Sequence, residues 1–409
     1  MFRVGKYPLM LTAATAVFVG GLVPPAAAQT LEGLKAQLRA LQEKVEQLES
    51  QQKVLQDKTT GATAAKPTVT SGKAGVKLSV SGQVNRGVLF VDSGDKDDVF
   101  HVDNDNSSTR IRFIGTGAFD EDITVGTQIE VQMESNSTAS ISLDQDSSAG
   151  GASFTERKLE LYADSKRFGR LWVGQGDTAS NGSSEVDLSG TSVIAYSGIG
   201  DMAGGIEFVR SNGTLGPSIG TVFTNMDGLS RDDRVRYDTP SFSGFKASAS
   251  AMEGGAVDAA IRFSGEIAET KVVAAAAWAD AGSKDSSNFS QYNGSVSVLL
   301  PMGFSVTGAA GTRSLDTPNR DDPTFYYGKL AYTFHGLDFG ATSVAVDYTT
   351  VDDADQNGDE FQAYGAFLVQ NIDKIGTEIY LGARNHELDR DSENFDDIFA
   401  FLAGARVKF

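Results

Sequence analysis

The chain of 409 residues contains no cysteine, three histidines and two tryptophans. Without cysteine there is no disulfide framework, thiolate zinc site, iron–sulfur cluster or cysteine nucleophile. Basic charge is also scarce: 35 Lys and Arg stand against 54 Asp and Glu, a formal net charge of −19. Nucleic acid is held by a basic footprint on its phosphates, so a general affinity for it is excluded. Beyond the first thirty positions no run approaches the roughly 20 apolar residues that a membrane-spanning helix needs.

What is present changes character along the chain. Arg3 and Lys6 precede the apolar stretch Leu9 to Val23, which is followed by two prolines and Ala26-Ala27-Ala28. A positive end, an apolar middle and small residues at the exit predict a secretory signal peptide over 1–28, cleaved after Ala28. Over 29–58, Leu31, Leu34, Leu38, Leu41, Val45, Leu48, Gln52 and Leu55 follow a 3,4 spacing. Such a narrow stripe cannot bury itself alone, so a periplasmic, oligomerising coiled-coil helix is expected. Residues 59–75 are small, polar and Pro/Gly-punctuated, which predicts a flexible linker.

From Val76 onward the period is 2. Eighteen alternating segments are readable up to Phe409, two of them at 204–211 and 217–225. Short connections such as 119–123, 164–168, 211–216 and 334–338 alternate with longer polar ones at 92–106, 135–153, 313–323 and 351–360. Short turns on one rim and long loops on the other predict a transmembrane, antiparallel up-and-down β-barrel of 16 to 18 strands over 76–409. In the last segment Phe399, Phe401, Ala403, Ala405, Val407 and Phe409 share one parity, and Gly404, Arg406 and Lys408 the other. The apolar set is expected to face lipid, because an Arg facing lipid at the midplane costs about 2–4 kcal/mol. By the same parity Arg110, Arg112, Arg170, Trp172, Arg234, Arg236 and Arg262 point inward.

FGRLWVGQGD followed by the loop from Asp177 to Ala203, RVRYDTPSFSGF at 234–245, VSGQVNRGVLFVD at 80–92 and the terminal Phe409 carry a resemblance. Over 76–409 the chain resembles the Gram-negative general porin family in its trimeric proteobacterial form. The resemblance implies an outer-membrane homotrimer forming a water-filled channel for passive diffusion of small hydrophilic solutes and ions. It also implies that the third long loop folds inward, so that Asp177, Glu185 and Asp187 would face wall residues Arg110, Arg112, Arg170, Arg234 and Arg236. Gln175 stands where many members carry Arg. Phe409 resembles the terminal signal read by the barrel assembly machinery. Outer-membrane lipid and lipopolysaccharide are the expected surroundings, and peptidoglycan is a candidate partner of the coiled coil.

Two other readings are weighed. A sugar- or small-carboxylate-specific channel would line its path with aromatics, for which Trp172 is the inward candidate, and an envelope tether would act through 29–58. No enzyme is expected: His101, His335 and His386 are scattered by the topology, and no Gly-x-Ser-x-Gly is present. No cofactor or metal is expected either. Asp353-x-Asp355-x-Asn357-Gly358 matches half of a calcium loop, but Tyr364 stands where a bidentate Glu belongs.

Overall fold

A computed structural model describes residues 68–70, 75–94, 96–145, 153–283 and 288–409. The expected signal peptide, the coiled coil and most of the linker lie outside the described residues. Within the linker, Thr68–Thr70 form a short strand, β1, against the start of β2 (Val76–Asp92).

One half of β2 pairs with β4 (Arg110–Ala118) and the other half with β3 (Asp97–Asp103). Strands β3 and β4 are therefore two pieces of a single stave, interrupted by a 3₁₀ turn at Asp105–Ser107. The region 92–106 read as a loop is thus largely strand: Phe100 and Val102 alternate with exposed Asp97, Val99 and His101 and are buried in the core. The wall continues through β5 (Ile123–Glu134), β6 (Ser153–Ser165) and β7 (Gly169–Asp177). After a long excursion containing the small hairpin β8 (Glu207–Val209) and β9 (Leu215–Ser218), it resumes with β10 (Arg231–Asp238), β11 (Phe245–Met252) and β12 (Val257–Ile267). The remaining staves are β13 (Thr270–Asp280), β14 (Phe289–Leu299), β15 (Phe304–Leu315), β16 (Thr324–Leu337), β17 (Gly340–Asp352), β18 (Asp359–Ile372), β19 (Thr377–Arg390) and β20 (Ile398–Lys408). Antiparallel pairing of β20 with β2 closes the ring. The sheet has 18 strands; taking β3 and β4 as one stave and leaving out β1 gives a closed barrel of sixteen.

The eighteen-strand reading fails at 204–211 and 217–225. Their alternation is real, but β8 and β9 pair only with each other and are too short to cross a bilayer. Both lie within the third loop, which runs from Thr178 to Ser230.

On ten wall strands apolar residues of the expected parity face outward. Val84, Val88, Leu161, Val173, Val235, Ile261, Val296, Val306, Leu330, Val346 and Phe401 are exposed on the outer face. Aromatics gather near both ends of this apolar band: Phe245 against Phe263 and Phe304 against Tyr332 toward the short turns, Tyr292, Tyr326, Tyr348 and Tyr364 toward the loops. Such girdles mark the two interfaces of a membrane barrel. Apolar core is found inside, where loop residues Ile194, Ile199, Met202, Ile206 and Phe208 pack against wall residues Leu89, Phe100, Phe325, Phe361 and Leu402.

Candidate functional site

The third loop leaves the wall at a knot of charge. Arg234 is buried; it pairs with Glu160 at 2.5 Å and donates to the carbonyls of Gly174 (2.8 Å) and Asp177 (3.0 Å). Arg236 pairs with Asp238 at 2.8 Å and donates to the carbonyls of Asp177 (3.2 Å) and Thr178 (2.8 Å). The Asp177 carboxylate accepts from Lys158 and lies 3.7 Å from Arg231. Two inward arginines are thus consumed in satisfying the carbonyls where β7 becomes loop.

From there the loop is stitched across the lumen. The Ala179 amide donates to Ser250 Oγ (2.8 Å), Ser180 N to Asp258 (2.8 Å), Val186 N to Ser295 Oγ (3.1 Å) and Leu188 N to Ser297 Oγ (2.9 Å). Small hydroxyls at alternate inward positions of β11 and β14 therefore serve as hydrogen-bond partners for a peptide laid across them. Lys329 of β16, fully buried, ion-pairs with Asp187 and donates to the Ala195 carbonyl at 2.8 Å. On the far side, Asn104 at the break between β3 and β4 donates to the Val193 carbonyl at 2.9 Å.

What the loop leaves open is a cavity of about 850 Å³. Its wall side carries Arg110, Arg157, Arg313 and Arg406, and its loop side Glu185, Asp201 and Asp227, with Arg231 at the loop root and Asp105 from the broken stave. Behind the arginines stand acids, Glu130 buried and Glu378 half-buried. Glu130 serves Arg157 at 3.0 Å, Arg110 at 3.6 Å and also Arg112, while Glu378 serves Arg406 at 2.5 Å. Three guanidiniums share the single Glu130 carboxylate, so positive charge is in excess on this wall.

The loop acids have few cationic partners. Glu185 accepts from Asn225 Nδ2 at 2.9 Å, Asp227 from the amides of Gly182 (2.6 Å) and Ser184 (2.9 Å), and Asp201 from the Tyr196 hydroxyl. Burial pushes the Asp201 carboxyl up to about 7, aided by the neighbouring charge of Asp105. Burial also raises Glu185 well above the usual carboxylate range, with Asp227 adding to it, and raises Asp227.

Of the nominated residues, the structure brings Arg110 and Glu185 to this cavity and places the others elsewhere on the loop and wall. Asp177 is at the loop root, Asp187 at the Lys329 anchor, and Arg112 beside Glu130. Arg170 lies nearer the short turns, pairing with Asp164 at 2.5 Å and stacking on Tyr162 (4.8 Å) and Trp172 (4.9 Å). Trp172 points inward and donates to Asp238 at 3.0 Å. Phe409 exchanges backbone hydrogen bonds with Gly82, amide to carbonyl at 3.0 Å and carbonyl from amide at 2.9 Å. Arg313 and Arg406, missed as site residues, had the right parity. Arg157 could not be found that way, because a register shift between Glu130 and Val131 inserts it into the wall at a bulge.

The half-calcium loop has its oxygens occupied: Asp355 pairs with Arg390 at 2.8 Å, Asn357 Oδ1 accepts from Arg320 at 2.9 Å, and Asp353 Oδ1 from the Gly358 amide at 2.7 Å. Among the described residues no group of three or more His, Asp and Glu is arranged to hold a metal ion.

The same architecture is found in solved proteins of low sequence identity. An anion-selective porin from Comamonas acidovorans superposes with a TM-score of 0.58 at 14% identity, over 82% of this chain and all of that one. OmpT of Vibrio cholerae gives 0.55 at 12% identity, over 84% and 100%, and a trimer form of it gives 0.52 at 11% identity, over 82% and 99%. The outer-membrane channel DcaP of Acinetobacter baumannii gives 0.51 at 14% identity, over 83% and 99%. Among curated protein sequences none matches the chain. Residues 58–391 match the family described as Gram-negative porin. A sixteen-stave barrel, an apolar outer belt and a loop folded across the lumen agree with that match: the chain belongs to the Gram-negative porin family and is an outer-membrane channel.

Proposed function

We propose that the protein is a trimeric porin for passive diffusion of small hydrophilic solutes and ions, with the cavity between the third loop and the arginine wall as its narrow passage. The observation that carries this reading is the stitching of the loop to β11, β12, β14 and β16, which fills one side of the lumen and leaves a charged, water-compatible space on the other. Opposed guanidiniums and carboxylates across that space order water and disfavour apolar solutes. Trp172 counts against a sugar slide, since its ring lies against the guanidinium of Arg170, its centroid 4.9 Å from the Tyr162 ring.

Trimer formation is supported by the outer face. Arg86 is the charged interruption among Val84, Val88 and Phe90; it pairs with Asp103 at 2.7 Å beside the break between β3 and β4. Hydrocarbon covers such a pair poorly, whereas a neighbouring subunit covers it well. The Vibrio relative provides a trimeric precedent. Secretion by residues 1–28 and a periplasmic coiled coil at 29–58 complete the reading, with peptidoglycan as the coiled coil's further candidate partner and lipopolysaccharide around the barrel. Planar-bilayer recording of the purified, folded protein tests it: stepwise, ohmic conductance is expected, and its absence overturns the proposal.

A further inference from the structure

A second charged recess lies on the short-turn side, away from the large cavity. It is a groove of about 300 Å³ lined by Lys166, Arg170, Lys246, Asp164, Gly169 and Pro240. Three cations converge there on one lining acid. Arg170 pairs with Asp164 at 2.5 Å and rests against the adjoining rings of Tyr162 and Trp172. Lys246 lies 3.3 Å from Asp238, which is itself buried and already carries Arg236 and the Trp172 indole N–H. Lys166 donates to the carbonyl of Glu121 and has no ion pair among those found at the described residues.

Gly169 borders the groove; a Cβ there would lie 2.1 Å from the Asp238 carbonyl oxygen, so the two backbones approach this closely only at glycine. On the inner face Lys246 sits directly across from Arg262, whose Nη1 is buried without a hydrogen-bond partner. Positive charge thus continues from the groove up the wall toward the root of the third loop.

A rigid guanidinium beside a mobile ammonium, in a recess sized for a few heavy atoms, is suited to a doubly charged oxyanion. Neither the family match nor the expected constriction assigns any role to this place. We propose that the groove is a binding station for small multivalent oxyanions, phosphate or dicarboxylate, at the periplasmic exit of the channel. The inference rests on the channel reading for its place in transport, although binding itself is measurable without conductance.

The two tryptophans are Trp172 and Trp278, so a Trp278→Phe background leaves Trp172 as the sole reporter. The folded protein in detergent is titrated with inorganic phosphate, with succinate, and with chloride at matched ionic strength. A saturable change in Trp172 emission with phosphate or succinate, absent with chloride, is expected; whichever of the two saturates at lower concentration identifies the preferred class. Lys246→Gln should weaken it tenfold or more, and Lys246→Arg should retain it. An identical chloride titration, no saturation, or an unchanged Lys246→Gln titration each overturns the station. In bilayers, phosphate added on the periplasmic side should reduce chloride current at lower concentration than on the other side, and equal potency from both sides overturns it. Binding without any conductance would instead sink the channel reading and leave the station standing.

Discussion

Lys329 shows how a single side chain sets the bore. It is fully buried, and Asp187 beside it, its ion-pair partner, is nearly so. Removing one member of such a pair strands the other in a poorly solvated site, at a cost of about 3–5 kcal/mol. Lys329→Met should therefore lower the unfolding midpoint in urea and increase open-channel noise as the loop detaches, whereas Lys329→Met combined with Asp187→Leu should recover most of the stability. A single variant as stable and quiet as the parent would show that the loop is held elsewhere. The loop acids act differently, through protons. Asp201 ordinarily titrates near 3.8 and is raised to about 7, with Glu185 and Asp227 displaced in the same direction. A carboxyl raised on docking keeps a proton that the undocked loop has lost, so docking is most favourable in acid and weakens as pH climbs from about 4 through 7. Over the same interval the loop side gains negative charge while the wall arginines stay cationic. Cation preference should thus be larger at pH 9 than at pH 5 by reversal potential in a salt gradient, with Asp201→Asn removing much of the change; a pH-independent potential refutes it.

At the scale of elements, the third loop is held by packing more than by surface charge. Arg210 in the turn of the small hairpin pairs with Glu393 at 2.7 Å, both partly exposed, and such pairs contribute about 0–1 kcal/mol. Phe208 is fully buried, with ring centroids 6.4 Å from Phe361 and 6.1 Å from Phe395, and truncating a buried Phe costs about 3–5 kcal/mol. Phe208→Ala should open the third loop to limited proteolysis in the folded barrel, while Arg210→Ala leaves it protected; equal protection in both would mean that the hairpin does not anchor the loop. This division explains what could be read in advance. Wall strands declare themselves, because lipid favours an apolar side chain at every second position of each, and Arg234 and Arg236 fall inward by that rule alone. Alternation says nothing about length of pairing, so the β8–β9 hairpin reads like two staves. Nor does parity tell a pore-facing arginine from one spent on carbonyls at a loop root, and a bulge hides Arg157 altogether.

For the whole molecule, everything depends on a seam between the two ends of the barrel. β20 meets β2 from Gln83 to Asp92, and the final hydrogen bonds join Phe409 to Gly82. Gly82 is a tight point at the end of that seam. A Cβ there would lie 2.6 Å from the Phe409 ring and 2.7 Å from the Arg110 carbonyl oxygen, which belongs to the neighbouring stave and cannot swing away. Gly328 of β16 gives the contrast: it also sits in a strand with an outward parity, yet nothing lies within 4 Å of a Cβ placed on it. Adding a methyl at an open strand position is neutral or mildly favourable, because glycine loses more backbone freedom on folding and packs no side chain. Adding it at Gly82 forces β2 away from β4 and from the chain terminus together, and a barrel with an unclosed seam exposes unpaired backbone in lipid. Gly82→Ala should therefore reduce the fraction of barrel that migrates as the compact, heat-modifiable form on unheated SDS gels, while Gly328→Ala matches the parent. If both substitutions behaved alike, closure would not be limited by contact at Gly82, and the seam would have to be held by the backbone hydrogen bonds of β20 alone.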